Sequence, residues 1–242
     1  MSYQNIFQRY ELKYLITQEQ LQKLKSFMHP FMKGDAYGRS TICNIYFDTP
    51  NYLLIRRSLE KPVYKEKLRL RSYGTATKNS TVFVELKKKY QSVVYKRRLP
   101  MLYNDAVRYL YERKSIENPT QIIREIDYFW DFYRELKPAV FLSYEREAFY
   151  ARDNADFRIT FDQNLLFRTE DLSLASGAYG TPILPGGYTL MEIKAAGALP
   201  LWITRFLSEN RIFKTSFSKY GTAYEILTGG TYHVDQLISR AV

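Results

Sequence analysis

Apolar and polar residues alternate in several separated stretches of the chain, and a period of two predicts strands. The clearest is Lys67-Leu68-Arg69-Leu70-Arg71-Ser72-Tyr73, where Lys67, Arg69, Arg71 and Tyr73 share one face and Leu68 and Leu70 the other. From Gln8 to Ile16, Arg9, Glu11 and Lys13 oppose Tyr10, Leu12 and Tyr14. Thr41 to Asp48 predicts another strand, closed by the turn cluster Asp48-Thr49-Pro50-Asn51. A hairpin loop from Gly74 to Ser80 leads into Thr81 to Lys87, where Val82, Val84 and Leu86 oppose Phe83, Glu85 and Lys87. Its expected partner is Ser92 to Leu99, with Lys96 and Arg98 on one face. Strand character returns at Ala139 to Tyr150, with Tyr144 and Arg146 together, and at Phe157 to Asp162, with Arg158, Thr160 and Asp162 opposite Phe157, Ile159 and Phe161. Tyr188 to Ala195 reads as the final strand and places Glu192 beside Lys194.

Between these runs the period changes. Thr17 with Gln20 forms the signature of a capping box ahead of Leu21, Leu24, Phe27 and Met28 at helical spacing, and Pro30 ends the pattern. Asn104 to Lys137 holds two helical patterns split by Asn118-Pro119, the second striped by Ile122, Ile126, Phe129 and Tyr133 and ended by Pro138. This is a helical insertion. Ser173 to Gly187 is a long loop whose Gly186-Gly187 pair predicts a hairpin turn; no Lys-Ser or Lys-Thr follows it, as a phosphate-cradling loop would require. Helical patterns resume at Pro200 to Leu207 and Lys219 to Leu227. No repeat or interdomain linker interrupts the chain, so residues 1–242 are expected to form one domain.

The charge balance changes what the polar faces mean. Thirty-six Lys and Arg against 25 Asp and Glu leave a net charge of +11, so the expected partners are anionic: nucleic acid, polyphosphate, nucleotide or membrane. Hydrophobic residues at 45% and charged residues at 25% exclude a disordered or fibrous chain. Cys43 is the only cysteine, which rules out an intrachain disulfide or a thiolate metal cluster and suggests a reducing compartment. The start Met1-Ser2-Tyr3-Gln4-Asn5 has no charged region backed by an apolar core, and no apolar run approaches the ~20 residues of a membrane span. A cytoplasmic protein is expected, with docking on a separately encoded membrane protein left open. Its oligomeric state is not legible. His29, His233, Trp130, Trp202 and Cys43 are expected to serve structure.

Collected across strands, one face offers Glu11 and Lys13; Lys67, Arg69 and Arg71; Glu85 and Lys87; Lys96; Arg146; Arg158; and Glu192 with Lys194. A solvated sheet face mixes signs and pairs opposite charges across strands. Here cations dominate. The amphipathic helices suffice to cover the apolar reverse faces, which predicts an α+β fold: an antiparallel β-barrel tunnel of about eight strands, with covering helices and the helical insertion. Unpaired cations in a dry interior would be costly, so the interior must hold water and an anion. Arg grips phosphate oxygens bidentately and Lys supplies a point charge, which suits a phosphate chain. The Glu residues suit Mg²⁺ or Mn²⁺, which takes a carboxylate or two, phosphate oxygens and waters.

These residues also carry a family resemblance. Tyr10-Glu11-Leu12-Lys13-Tyr14, Leu68-Arg69-Leu70-Arg71, Val84-Glu85-Leu86-Lys87, Tyr144-Glu145-Arg146, Arg158-Ile159-Thr160-Phe161-Asp162, Met191-Glu192-Ile193-Lys194 and Phe217-Ser218-Lys219-Tyr220 follow one another as in VTC-type polyphosphate polymerase domains. Those domains belong to the triphosphate tunnel metalloenzyme (CYTH-like) superfamily, and the resemblance runs from about Arg9 to Gly221. It implies a tunnel that binds the triphosphate of a nucleotide, ATP first among them, and passes its γ-phosphoryl group to a growing polyphosphate chain. It further implies that Lys13, Arg69, Arg71, Lys87, Lys96, Arg146 and Arg158 grip phosphates, with Arg69, Arg71, Arg146 and Arg158 as the catalytic clamp. Lys194, Ser218 and Lys219 would complete the lining, and Lys67 joins it by strand parity. Glu192, with Glu11 as a second carboxylate, would hold Mn²⁺ or Mg²⁺. Arg9 stands where the wider superfamily has the first Glu of Glu-x-Glu-x-Lys, which resembles the polymerase branch more than the adenylate-cyclase or thiamine-triphosphatase branches.

The same barrel would also suit a tripolyphosphatase or nucleoside triphosphatase, or a polyphosphate-binding module without turnover. Single-stranded RNA binding ranks last, because the basic residues alternate with aliphatic rather than stacking aromatic side chains. No nucleic-acid partner is expected.

Overall fold

Strands with one apolar and one charged face need a cover on the first and an enclosed, wet space on the second. The computed structural model describes residues 10–91 and 93–229; the expectations placed on residues 1–5, Gln8, Arg9, Ser92 and His233 lie outside them. β1 (Tyr10–Thr17) runs into α1 (Gln18–Met28) through the predicted capping box, with Gln20 N–H donating to Thr17 Oγ1 at 3.2 Å and Thr17 N–H to Gln20 Oε1 at 3.0 Å. Then come β2 (Met32–Gly34), β3 (Ser40–Asp48), α2 (Leu53–Leu59), β4 (Tyr64–Tyr73), β5 (Thr81–Tyr90) and β6 (Val93–Leu102). The insertion supplies α3 (Tyr103–Leu110) and α4 (Gln121–Tyr133). β7 (Lys137–Ala151), β8 (Arg158–Arg168), β9 (Thr181–Pro182), β10 (Tyr188–Ala195), α5 (Leu201–Glu209), β11 (Lys214–Thr215) and α6 (Lys219–Leu227) complete the described chain. None of these helices is long and apolar enough to cross a membrane.

The strands form one antiparallel sheet in the order β11-β1-β10-β8-β7-β3-β4-β5-β6, with β2 added on β7 and β9 on β8. β6 and β11 end the path, so the expected barrel is a curved sheet whose ends are not joined by a ladder of hydrogen bonds. Its outer face is covered twice. Leu68, Leu70, Val82, Val84 and Leu86 pack under Ile123, Ile126, Phe129 and Trp130 of α4, while Phe157, Ile159, Phe161, Met191 and Ile193 pack under Leu21 and Leu24 of α1 and Ile203 and Phe206 of α5. A third cluster, with Leu15, Ile42, Leu190, Phe217 and Tyr220, seats α6 against the concave side.

Four details differ from the sequence reading. α2 was not anticipated. Asp48, read only as a turn residue, accepts from Leu54 N–H at 2.9 Å and Ile55 N–H at 3.0 Å, which satisfies the exposed donors of the helix start. Tyr220 of α6 donates to the same carboxylate at 2.9 Å, so Asp48 ties α2 to α6. Pro138 does not end a helix: α4 stops at Tyr133, Arg134 turns at φ 57°, and Pro138 lies inside β7 opposite Phe47, where the register shifts. Gly186 and Gly187 make a turn, with Gly187 at φ +86°, but β9 pairs with β8 and not with β10, so the turn closes no hairpin. The late strand β11, paired with β1 at Lys13 and Tyr14, also follows what was read as the last strand.

Candidate functional site

Strand parity decides the site first. On β4, Lys67, Arg69 and Arg71 face the concave side because Leu68 and Leu70 are wholly buried beneath the helices. The register then sets their neighbours: Lys67 lies opposite Lys87 and Arg69 opposite Glu85, and on the next strand Lys87 lies opposite Lys96 and Glu85 opposite Arg98.

Glu85 is 1% exposed and gathers four cations. Arg69 Nη2 and Lys96 Nζ each lie 2.7 Å from its carboxylate, Arg98 Nε at 3.4 Å and Arg71 Nε at 3.8 Å. Burial alone would raise its pKa, but Arg69, Arg71 and Lys96 outweigh burial and hold it at about 2. One acid among four bases leaves the knot strongly positive. The two arginines also donate to uncharged groups: Arg69 Nη1 to Tyr46 Oη at 3.1 Å, Arg71 Nε to Asn44 Oδ1 at 2.9 Å, and Arg71 Nη2 to Tyr144 Oη at 3.2 Å. These contacts fix the guanidinium planes before any ligand arrives.

A second knot forms across β7, β8, β10 and α6. Arg146 grips Asp162 with two contacts of 2.6 Å and reaches Glu192 Oε2 at 3.1 Å. Lys219 lies 2.6 Å from Asp162 and 3.0 Å from Glu192 Oε1. Glu192 is raised by burial yet held well below the ordinary carboxylate range by Lys219, Arg146, Lys13 and Lys194. Lys219 is raised in turn: burial lowers it, and Asp162 and Glu192 more than offset that. The helix start supplying Lys219 is capped by Ser218, whose Oγ accepts from Gly221 N–H at 3.1 Å. Packing fixes its position, since a Cβ at Gly221 would sit 2.8 Å from Leu59 Cδ2 of α2.

Lys13 sits between the remaining acids. Its ammonium is 3.6 Å from Glu11 Oε1 and 3.9 Å from Glu192 Oε1, and donates to Phe217 O at 2.9 Å. Lys194 approaches Glu11 Oε2 at 3.9 Å. Glu11 and Glu192 thus converge on one point where a cation already lies. Two carboxylates at such a point fit an oxygen-liganded divalent ion whose shell is completed by phosphate oxygens and water. Among the described residues no cluster of three or more His, Cys, Asp or Glu offers a cage independent of the ligand.

These groups surround a cavity of about 720 Å³. Glu11, Lys13, Lys67, Arg69, Arg71, Lys87, Lys96, Arg146, Glu192, Lys194, Ser218 and Lys219 all line it, as the sequence led one to expect. Arg158 is on the expected face, opposite Lys194, but it lies outside the lining with its guanidinium 4.9 Å from the Tyr150 ring. Tyr46, Tyr144 and Tyr220 line the cavity without having been assigned a part in it. Asp162, though on the right face by parity, was not seen as the partner that fixes Arg146 and Lys219. Alternation alone gave no signal for either omission.

Lys67 and Lys87 have no carboxylate within ion-pair distance among the described residues. For Lys67, burial first and then Lys65, Lys13, Lys87 and Arg69 bring the ammonium down to about 7. A bound polyanion stabilises the charged form and raises this value. Above pH 7 the empty site therefore holds mostly neutral Lys67 while the occupied site holds it charged, so binding takes up a proton and affinity falls as pH rises. At pH 6 both states are protonated and the uptake vanishes. Calorimetry of tripolyphosphate binding in buffers of different ionisation enthalpy should show proton uptake at pH 8 that drops in Lys67→Arg, leaving what the other lowered lysines contribute: Lys194, at about 8, with Lys96 and Lys65. Equal uptake in both proteins would show that Lys67 does not face the anion.

Comparison with known proteins agrees with this geometry. The family model described as VTC domain matches residues 8–228. No curated protein sequence matches the chain. Among solved structures, a candidate adenylate cyclase from Bacillus halodurans superposes with a TM-score of 0.53 at 16% identity, covering 86% of this chain and 92% of that one. A candidate adenylate cyclase from Vibrio parahaemolyticus gives 0.50 at 11% identity, covering 89% and 97%. A candidate adenylyl cyclase from Hippeastrum, titled as revealing a dominant triphosphatase activity, gives 0.53 at 16% identity, covering 92% and 97%. At these identities the structures establish a shared fold.

Proposed function

Because the chain belongs to the VTC-domain family, we propose that it binds a nucleoside triphosphate, ATP first, and transfers the γ-phosphoryl group to a growing polyphosphate chain. The observation that supports this reading is the surplus of cations from many separate segments lining one cavity inside the curved sheet, beyond what the acids there can neutralise. An anion of several charges would offset such a surplus. Phosphoryl transfer asks mainly for positioning and for neutralisation of charge on the equatorial and leaving oxygens.

The residues divide that work. Arg69 and Arg71, held by Glu85, Tyr46, Asn44 and Tyr144, present guanidinium edges that clamp phosphoryl oxygens. Arg146 and Lys219, held by Asp162, steady the opposite side. Lys13, Lys87, Lys96 and Lys194 add point charges around the chain. Glu192, with Glu11, would hold Mn²⁺ or Mg²⁺, which when bound neutralises charge on the phosphate oxygens. Lys13 would then turn from the two carboxylates toward phosphate. A terminal phosphate oxygen is already ionised, so the acceptor needs no general base.

Incubating the purified protein with labelled ATP and Mn²⁺ tests this. Long anionic polymer supports the polymerase. Release of inorganic phosphate alone would replace it with a triphosphatase, the reading favoured by the activity in the Hippeastrum title. Unchanged ATP, bound but not turned over, would replace it with a binding module.

A further inference from the structure

Beyond the clamp the concave face of β4, β5 and β6 turns from charged to aromatic. Past the row Arg69–Glu85–Arg98 comes Arg71–Phe83–Pro100, and Tyr73 stands two residues beyond Arg71 on the same face. Alternation puts Tyr73 in line with Lys67, Arg69 and Arg71, yet it takes no part in gripping phosphate. Its contacts are of another kind. The Arg98 guanidinium lies 3.6 Å from the centre of the Phe83 ring, close enough to stack on it, and its Nη2 donates to Tyr73 Oη at 3.1 Å. Tyr73 meets Phe83 edge to face, with ring centres 5.9 Å apart and planes at 83°. Glu85 Oε1, 3.4 Å from Arg98 Nε, holds the inner edge of the same guanidinium. Burial would raise the Tyr73 phenol, but Arg98 and then Arg71 more than offset it, so the platform and the clamp act on one hydroxyl.

This end of the sheet is open. Tyr73 is 51% exposed and Leu102, at the same end, 48%. A guanidinium stacked on one ring has a second face, and Arg planes and Tyr rings are the surfaces on which flat bases lie. From Arg71 to Tyr73 is about 7 Å at ~3.4 Å per residue, the reach of a ribose between a base and its first phosphate. The opposite end of the wall offers no such surface. There the concave face carries Lys65, Lys89 and Val94, while Tyr64 and Tyr90 have the other parity and Tyr64 Oη donates to Glu66 at 2.6 Å. Tyr10 and Tyr95 border the cavity, but neither side chain meets a cation or another ring among the described residues.

We propose that Arg98, Phe83 and Tyr73 form a stacking platform for the base of a nucleotide whose phosphates run back to Arg71 and Arg69. The proposal rests on the triphosphate reading above and adds which end the nucleoside takes and what selects it. Stacking tolerates any base and strengthens with ring area, so ATP and GTP should bind within about threefold of each other and both more tightly than UTP. Calorimetry of wild-type, Tyr73→Ala, Phe83→Leu and Tyr95→Ala proteins, each with ATP and with tripolyphosphate, tests it, and circular dichroism checks the fold. Tyr73→Ala and Phe83→Leu should each weaken ATP about tenfold while leaving tripolyphosphate within about twofold, because only ATP carries a base. Tyr95→Ala should bind ATP as wild-type does. Wild-type affinity for ATP in folded Tyr73→Ala overturns the proposal, as does an equal loss of both ligands. Loss of ATP in Tyr95→Ala alone places the base at the other opening and overturns it too. Adenosine monophosphate bound through Tyr73 by a wild-type protein that ignores tripolyphosphate would support the platform while refuting the cavity reading.

Discussion

Changing Arg69 and Arg71 together to alanine is expected to weaken tripolyphosphate binding by roughly 100-fold to 10,000-fold, with the fold retained. The size follows from charge-assisted hydrogen bonds, each worth about 1.5–3 kcal/mol when a charged donor meets a phosphate oxygen in a partly dehydrated site. Two such residues give about 3–6 kcal/mol. Retention of the fold follows from Glu85, which keeps Lys96 at 2.7 Å and Arg98 at 3.4 Å after both arginines are gone. A buried acid without any partner would unfold the wall; this one still has two. Calorimetry gives the affinity and circular dichroism the fold. Wild-type affinity in a folded double variant would remove the clamp from β4.

Glu192→Gln is expected to cut metal-stimulated turnover of ATP by about 1,000-fold, the scale of losing one group that stabilises developing charge. Arg146 and Lys219 would not be stranded, because Asp162 holds both at 2.6 Å. Removing one negative charge from the cavity also predicts an opposite effect in metal-free buffer, where tripolyphosphate should bind the variant at least as tightly as it binds wild-type. That pair of signs separates a metal-holding carboxylate from a merely structural one, which would lower both. Undiminished metal-stimulated turnover would place the ion elsewhere.

Much of this site was readable because alternation in a strand fixes which face a side chain takes, whatever the rest of the fold does. Lys67, Arg69 and Arg71 could be assigned to one side before any neighbour was known. Parity says nothing about which way a side chain leans or what it meets. Arg158 shows the first limit: its face is as expected and it lies across from the cavity-lining Lys194, but its guanidinium lies against Tyr150, outside the lining. Glu85 and Asp162 show the second, since their role is to meet cations from strands far away in sequence. α2 was hidden for a related reason. Its start depends on Asp48, whose carboxylate is shared with Tyr220, 172 residues later, and a seven-residue segment has little helical preference of its own to betray it.

The order in which the strands pair also has a bearing on biosynthesis. Among the described residues β1 finds its strand partners in β10 and β11 alone, and Lys13 is fixed by a carbonyl 204 residues downstream. Contacts so distant in sequence form late. Before the ribosome reaches β10 and α6, the arginines of β4 are already present, but Glu192, Lys194 and Lys219 are not. A growing polypeptide at that stage carries half of the cationic wall, and the two sides meet around one cavity only once α6 has been made.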